Sequence, residues 1–188
     1  MKKLLTIFIT ILTILSISCK KDNNDEVTNI SNLFGNYKGE MRFETYDSTN
    51  TLIDSGIEDN RTFTLKISES DRTGMDLKLS YVWDSITIPY DMGGGAIGYD
   101  FFPEETLIIY ANNLAEFSGS DYYFDIPSQP GDDDFPIIGL KKYTVDSKQY
   151  AARYLSNGRE LKINTKMINP YPDQYGKYYL IYETYTKQ

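Results

Sequence analysis

Strict alternation of apolar and polar residues is the feature of this chain that most constrains its fold. Across residues 33–44, apolar or small side chains take every second position, and polar or charged side chains take most positions between them. Successive side chains of a β-strand point to opposite faces, so this pattern predicts a strand that is buried on one face. The pattern recurs in four further segments, at residues 63–67, 77–83, 86–90 and 161–167. No segment carries an apolar stripe of useful length at helical spacing, which predicts an all-β chain.

Turn signals and less regular apolar runs complete this prediction. Further strands are expected in four segments, at residues 106–110, 122–126, 138–145 and 177–186. Asn157-Gly158 separates two alternating runs and predicts a β-hairpin, because both central residues of the favoured two-residue turn need positive φ. About eight to ten short antiparallel strands indicate a barrel or a sandwich.

The start of the first predicted strand carries a family resemblance. Leu33-Phe34-Gly35-Asn36-Tyr37-Lys38-Gly39 resembles the opening strand of lipocalin-like (calycin-type) lipoproteins. The resemblance implies an antiparallel lipocalin-like barrel over residues 33–188. Glycine suits a first strand that bends to close a barrel. We therefore expect the strand near 178–184 to pair with the strand near 37–43. Two segments, 84–102 and 127–136, are longer and less regular than simple links, so a β-sandwich is the alternative fold.

Residues 1–18 have the three-part layout of an export signal. Lys2 and Lys3 precede an apolar run that ends in small residues. The run is short of the roughly 20 residues that a spanning helix needs. Its last part, Leu15-Ser16-Ile17-Ser18-Cys19, resembles the lipobox of bacterial lipoproteins. That resemblance implies cleavage before Cys19, a diacylglycerol on its thiol and an acyl chain such as palmitate on its amino group.

Residues 19–32 are polar without periodicity and predict a flexible tether after the lipidated cysteine. The Cys-Lys-Lys-Asp start, with acidic residues close behind, also resembles the export tag of surface lipoproteins from the Bacteroidota. The implied location is the outer membrane, on its periplasmic or cell-surface side. Attachment is expected from the acyl chains.

Composition restricts the function. The chain has no histidine and one cysteine, which removes Ser-His-Asp and Cys-His nucleophile systems and the usual zinc sites. Its formal net charge is −8, and removing Lys2 and Lys3 with the signal makes it −10, which argues against nucleic acid as a partner. We therefore expect a protein that is not an enzyme, with no catalytic residues and no cofactor. A carboxylate-based hydrolase is kept as a hypothesis that ranks below two binding functions, one for a small ligand inside a barrel and one for a glycan or protein on the surface.

Aromatic residues are the strongest candidates for ligand contact, since the chain has 17 tyrosines, 9 phenylalanines and one tryptophan. Tyrosine combines a flat apolar face with a hydroxyl group and suits sugars or amphipathic ligands. The residues that we expect to contact a ligand are Tyr81, Trp83, Phe101, Phe102 and Tyr122. Further candidates are Tyr123, Tyr171 and Tyr175. Most tyrosines of a β protein are nevertheless core or strand-surface residues.

Two loops have compositions that could suit ion sites. Gly93-Gly94-Gly95 is followed by no helix start, so it predicts a flexible loop rather than a phosphate cradle. Asp132-Asp133-Asp134 offers hard oxygen ligands of the kind that calcium prefers, without the spacing of a known calcium loop, so a solvated acidic turn is favoured and no metal site is predicted.

These observations predict a lipid-anchored, exported binding protein that holds a small apolar or amphipathic ligand inside a β-barrel. The alternative is a surface module that binds a glycan or a protein through exposed aromatic side chains on a β-sandwich.

Overall fold

The computed structural model describes residues 30–57, 63–118, 120–131, 135–169 and 178–188. The described residues form β-strands, turns and one 3-10 turn at Ile30–Asn32. Eight strands make the barrel wall: β1 (Gly35–Tyr46), β3 (Phe63–Glu69), β4 (Leu77–Trp83), β7 (Glu105–Phe117), β8 (Asp121–Asp125), β13 (Ala152–Leu155), β14 (Glu160–Ile168) and β15 (Tyr178–Lys187). The others are β2 (Leu52–Ile57), β5 (Ile86–Gly93), β6 (Ala96–Phe102), β9 (Gln129–Pro130), β10 (Pro136–Gly139), β11 (Tyr143–Val145) and β12 (Lys148–Tyr150).

The wall strands close on themselves. Their order is β13-β8-β7-β4-β3-β1-β15-β14, and β14 pairs back to β13, so the sheet is a closed antiparallel barrel. The first and last strands pair from Tyr37 opposite Lys187 to Tyr46 opposite Tyr178. This confirms the predicted barrel and its predicted closing pair, and the β-sandwich alternative is wrong.

Gly39 shows why this closure needs a glycine. It lies opposite Tyr185 in the pairing of β1 with β15. A Cβ at Gly39 would stand 2.0 Å from the Thr184 carbonyl oxygen and 2.6 Å from the Tyr185 Cα. No side chain fits at that distance, so the two strands can approach only if this residue lacks one.

The barrel has a closed end, where β1 begins and β15 finishes. Leu33, Tyr37, Tyr122 and Tyr154 fill this end and are buried. The Tyr37 ring meets the Tyr154 ring edge-on at 6.2 Å between centroids, and its hydroxyl donates to the Leu33 carbonyl. The 3-10 turn at Ile30–Asn32 leads into this plug, so the described residues include three that the sequence assigns to the predicted tether.

The opposite, open end has a different wall. Strands β8 and β13 are short and pair only near the closed end, and β10 takes the place of β13 beside β14, with Ile137 opposite Met167. Strand β9 pairs with β10 and meets β7 through the side chain of Gln129. The Gln129 Nε2 donates to the Tyr110 carbonyl at 2.7 Å, and the Tyr110 amide donates to Oε1 at 2.8 Å. A side-chain amide therefore makes the two hydrogen bonds that a neighbouring strand would make.

A two-stranded ribbon, β5–β6, continues the β4–β7 hairpin away from the open end. Its ladder runs from Ile86 opposite Phe102 to the turn at Gly93–Gly95, whose three glycines all have positive φ. The sequence predicts an irregular segment and a short strand that ends near residue 90. The structure instead gives a regular hairpin, with Pro89 inside β5 opposite Tyr99. Proline is tolerated there because a two-stranded ribbon has free edges.

The hairpin predicted at Asn157-Gly158 is present as the pair β13–β14, with Leu155 opposite Glu160. Its turn covers residues 156–159, and the left-handed residue is Arg159, with φ 51°. The loop is therefore longer than the two-residue turn that the dipeptide favours. The predicted signal, Cys19, the acidic loop Asp132–Asp134, Tyr171 and Tyr175 lie outside the described residues.

Candidate functional site

An apolar cavity of about 110 Å³ lies inside the open end of the barrel. Strands β1, β4, β7, β10, β14 and β15 each contribute side chains to its lining. The lining residues are Met41, Tyr81, Trp83, Leu107, Gly131, Ile137, Met167, Ile181 and Glu183. The alternation seen in the sequence explains this placement, because every second residue of each wall strand points inward. The volume suits a small ligand or one end of a larger one, since drug-sized ligands occupy roughly 300 Å³ or more.

Among the described residues of this lining, Glu183 is the charged one, and it is 4% exposed. It lies on β15 in phase with Ile181 and Tyr185, so the strand turns it toward the interior. Tyr81 donates a hydrogen bond to Oε2 at 2.9 Å, and Tyr185 donates to the same oxygen at 2.7 Å. Within the described residues, Oε1 receives no hydrogen bond. The carboxyl group is thus held through one oxygen, and the other remains available to the cavity.

Burial governs the protonation of this group. Desolvation raises the pKa of Glu183 from 4.5 to about 7, against the two tyrosine hydrogen bonds, which lower it. Among the residues that the structure describes, no lysine or arginine contributes to this shift, so none of them offsets the buried charge. Burial also raises the pKa of Tyr81 and of Tyr185 well above the usual value, so both phenols stay protonated as donors.

Stacked rings form one wall of the cavity. The Tyr81 and Trp83 rings lie 6.0 Å apart at 19°. Phe63 lies behind Trp83 at 6.1 Å and meets Tyr185 edge-on at 5.9 Å. The tryptophan is held by aromatic neighbours and still reaches the cavity, and it is the only tryptophan of the chain. Its fluorescence can therefore report on this site alone.

The structure separates the five aromatic residues that sequence analysis singled out. Tyr81 and Trp83 line the cavity together. Tyr122 is buried at the closed end, where its ring lies 6.2 Å from that of Tyr154. Phe101 and Phe102 lie on the β5–β6 ribbon, 67% and 41% exposed. The open-end cavity thus includes two of the five.

Glu183 is the site residue that sequence analysis missed. The closing segment 177–186 shows aromatic residues on both faces, and this pattern hides which face is buried. A signal was nevertheless present, because Glu183 stands two residues from Ile181 and two from Tyr185. An acidic residue in phase with apolar residues on a strand is the pattern that marks a buried carboxyl group.

A second depression, of about 440 Å³, lies outside the barrel beside β7, β8 and β12. Asp125 is its buried acid and is fully engaged. It accepts hydrogen bonds at 3.2 Å from Asn113 Nδ2, from Lys141 Nζ and from the Ala151 amide. Asn113 has a positive φ at the point where the register of β7 and β8 shifts. We interpret this cluster as the support of that bulge.

Comparison with protein-family models, with curated proteins and with solved structures gives no match to this chain. The lipoprotein and lipocalin-like resemblances of the sequence therefore remain predictions, and the barrel rests on the structure. Among the described ranges, no helix has the length and apolar character to cross a membrane. Those same residues contain no group of three or more Cys, Asp or Glu side chains arranged to hold a metal ion.

Proposed function

We propose that this chain is a lipid-anchored exported protein that binds a small apolar or amphipathic ligand in the open-end cavity. The observation that carries the proposal is the cavity itself, a mostly apolar chamber whose described lining includes one carboxyl group, that of Glu183. Small-molecule sites typically combine a mostly apolar lining with a few placed polar groups. The volume restricts the ligand to a small molecule or to the end of a chain.

The end of the barrel at which the described chain begins supports the anchored arrangement. The chain enters the barrel at the closed end through Ile30–Asn32, whereas the cavity lies at the other end. A lipid on Cys19 would therefore hold the closed end toward the membrane and leave the cavity facing away from it. Replacing the only cysteine, Cys19→Ser, is expected to abolish acylation. Mass spectrometry of the membrane fraction tests this, and an intact, unacylated Met1 start in the unaltered protein would refute the lipid anchor.

Ligand binding is tested with Trp83 fluorescence and a pair of matched substitutions. Met41 lines the cavity, and Met92 is 63% exposed on the ribbon. Met41→Phe fills part of the cavity and is expected to weaken binding of a short apolar probe, hexanol, about fivefold or more, whereas Met92→Phe leaves it unchanged. Equal hexanol affinity in both variants would place the binding site elsewhere.

A protein-interaction surface is the second candidate function, and the β5–β6 ribbon favours it. Ile97, Tyr99 and Phe101 are each more than 60% exposed and share one face. Exposed apolar patches of this kind often mark interaction sites. The chain has no lysine or arginine between Lys78 and Lys141, so the ribbon is acidic as well as apolar. These properties fit a protein partner with a basic, apolar surface.

Site-specific photocrosslinking in cells tests this candidate. A crosslinker at Tyr99 is expected to give a discrete product that Phe101→Ser suppresses, while a crosslinker at exposed Lys38 on the barrel wall gives none. Absence of a discrete product at Tyr99, or an identical product at Lys38, would eliminate the ribbon as a specific interface.

A further inference from the structure

We infer that the open-end cavity selects ligands that carry a protonated amine beside an apolar body, and that Glu183 Oε1 is the group that binds the amine. The inference rests on the proposed ligand-binding function and names the chemical class of the ligand. It starts from the carboxyl group of Glu183, whose two oxygens differ in their hydrogen bonding. Two tyrosine hydroxyls donate to Oε2, and none of the described residues donates to Oε1.

The charge balance of the cavity favours a cation. Its other described lining residues carry no charge, and no described lysine or arginine contributes to the electrostatics of Glu183. Burying a carboxylate without a counter-charge costs free energy, because the charge loses its hydration. No attraction from a partner compensates this desolvation when one member of an ion pair is missing. A ligand that brings an ammonium group supplies the missing charge. A ligand carboxylate would meet repulsion at the same point.

The lining also suits this class of ligand. Cations bind favourably over the face of tryptophan, and Trp83 lines the cavity next to Tyr81. Met41 and Met167 provide flexible, polarisable contacts for a hydrocarbon body. The carboxyl group thus recognises the head of the ligand, and the remaining lining accommodates its apolar part.

Protonation of Glu183 makes this selectivity depend on pH. The titratable groups that face Glu183 are Tyr81 on β4 and Tyr185 on its own strand, whereas Met41, Leu107, Ile137 and Met167, from the other packed strands, do not titrate. Both phenols stay neutral because burial raises their pKa. Among the described residues of this lining, Glu183 is therefore the group that changes charge between pH 5 and pH 8, and its ionised form at pH 8 is the one that binds an ammonium group.

The experiment compares two probes that differ only in the head group, hexylamine and hexanol. The full chain is placed in phosphatidylcholine vesicles, which carry no net charge, at 0.15 M salt to screen exposed charges over about 8 Å. Free probe is set by equilibrium dialysis, and Trp83 fluorescence reports binding. Hexylamine stays protonated throughout, since alkyl amines have a pKa of about 10. We expect hexylamine to bind about tenfold tighter than hexanol at pH 8 and about equally at pH 5.

Glu183→Gln is the decisive variant, because glutamine can still accept the two tyrosine hydrogen bonds. It is expected to bind both probes about equally at either pH, with hexanol affinity within about twofold of the unaltered protein. Glu40→Gln removes an exposed charge from β1 and serves as the matched control that keeps the preference for amine. If near-ultraviolet circular dichroism shows that Glu183→Gln is not folded, the pH dependence of the unaltered protein decides the matter.

Each remaining outcome has one meaning. Equal affinity for the two probes at pH 8, a preference that does not change between pH 8 and pH 5, or a preference that survives Glu183→Gln overturns the assignment of Glu183. Hexanol binding would in that case still support an apolar ligand site. Binding of neither probe at either pH overturns the amine assignment and the proposed function together.

Discussion

The two ends of the barrel are built from the same alternating strands and are filled in different ways. At the closed end, Tyr37 is buried, packs against Tyr154 and donates its hydroxyl to a backbone carbonyl. At the open end, Tyr81 and Tyr185 donate to a carboxyl group beside an apolar chamber. Buried tyrosine thus satisfies a backbone carbonyl at one end and holds a carboxyl group beside a cavity at the other.

The two ends differ because their buried tyrosine hydroxyls donate to different kinds of acceptor. A buried tyrosine usually finds a hydrogen-bond partner. A backbone acceptor satisfies Tyr37 without introducing charge, whereas Glu183 satisfies two tyrosines and introduces a buried acid. Its raised pKa reflects destabilisation of the ionised form, and strained or destabilised groups of this kind are concentrated at functional sites.

The largest expected effect on stability comes from disrupting the pairing of β1 with β15, which runs from one end of the barrel to the other. Gly39→Ala places a Cβ 2.0 Å from the Thr184 carbonyl oxygen, so β1 and β15 must separate. We expect a loss of at least about 4 kcal/mol in the free energy of unfolding, or failure to fold. Gly158→Ala is the control, because its added Cβ meets only Glu160 Cβ at 3.8 Å and should change stability by less than about 1 kcal/mol. Urea denaturation measures both, and similar values for the two variants would contradict the role assigned to Gly39.

The next largest effect is a pH dependence of the free energy of unfolding, which is expected from Glu183 at the open end. The folded-state pKa of Glu183 is raised from 4.5 to about 7, so the native state binds the proton more tightly than the unfolded state. Stability is therefore expected to fall as pH rises from 4.5 through 7, by roughly 3 kcal/mol in total from this group. Glu183→Gln removes that loss and should be more stable than the unaltered protein at pH 8 by a similar amount. Urea denaturation at pH 5 and pH 8 measures it, and a difference that stays constant with pH would contradict the buried, ionisable role of Glu183.

The role of Gly39 can be predicted from the sequence, whereas the hydrogen-bond partners of Glu183 cannot. Gly35 and Gly39 belong to a segment that resembles the opening strand of lipocalin-like proteins, and this resemblance together with the two glycines predicts the closing pair of strands. The acceptor of a buried hydroxyl is a property of the tertiary contacts, so Glu183 could not be assigned to Tyr81, which is 102 residues away along the chain.

Two further features were beyond sequence reasoning for the same reason. Tyr122 and Tyr81 both occupy buried positions in β-strands, yet only the packing shows that the first fills a core and the second lines a cavity. Gln129 completes the wall of the open end by pairing with the backbone of Tyr110, and no local pattern predicts a side chain in the place of a strand.

Removing one tyrosine hydroxyl at each end tests whether the two ends differ in how their stability depends on pH. Tyr37→Phe leaves the Leu33 carbonyl without its donor, a loss of about 1–2 kcal/mol that should not vary between pH 5 and pH 8. Tyr81→Phe removes a donor that lowers the pKa of Glu183, so that pKa rises further. Its cost should be about 1 kcal/mol at pH 5, where Glu183 is protonated, and larger at pH 8, where the lost bond is charge-assisted. The same denaturation series measures both, and an equal pH dependence for the two variants would contradict the difference between the ends.

The smallest effect on stability is expected on the ribbon, which belongs to neither end of the core. Phe101 is 67% exposed there, so Phe101→Ser removes little buried surface and should change the free energy of unfolding by less than about 0.5 kcal/mol. Phe124 is fully buried in the barrel, and Phe124→Ser should cost at least about 3 kcal/mol because it leaves a cavity and buries a hydroxyl group. Hexanol affinity in the Trp83 assay should be unchanged by Phe101→Ser, since Phe101 does not line the cavity. A large loss of stability or of binding in Phe101→Ser would show that the ribbon packs over the open end, and the cavity and the ribbon would then have to be treated as one site.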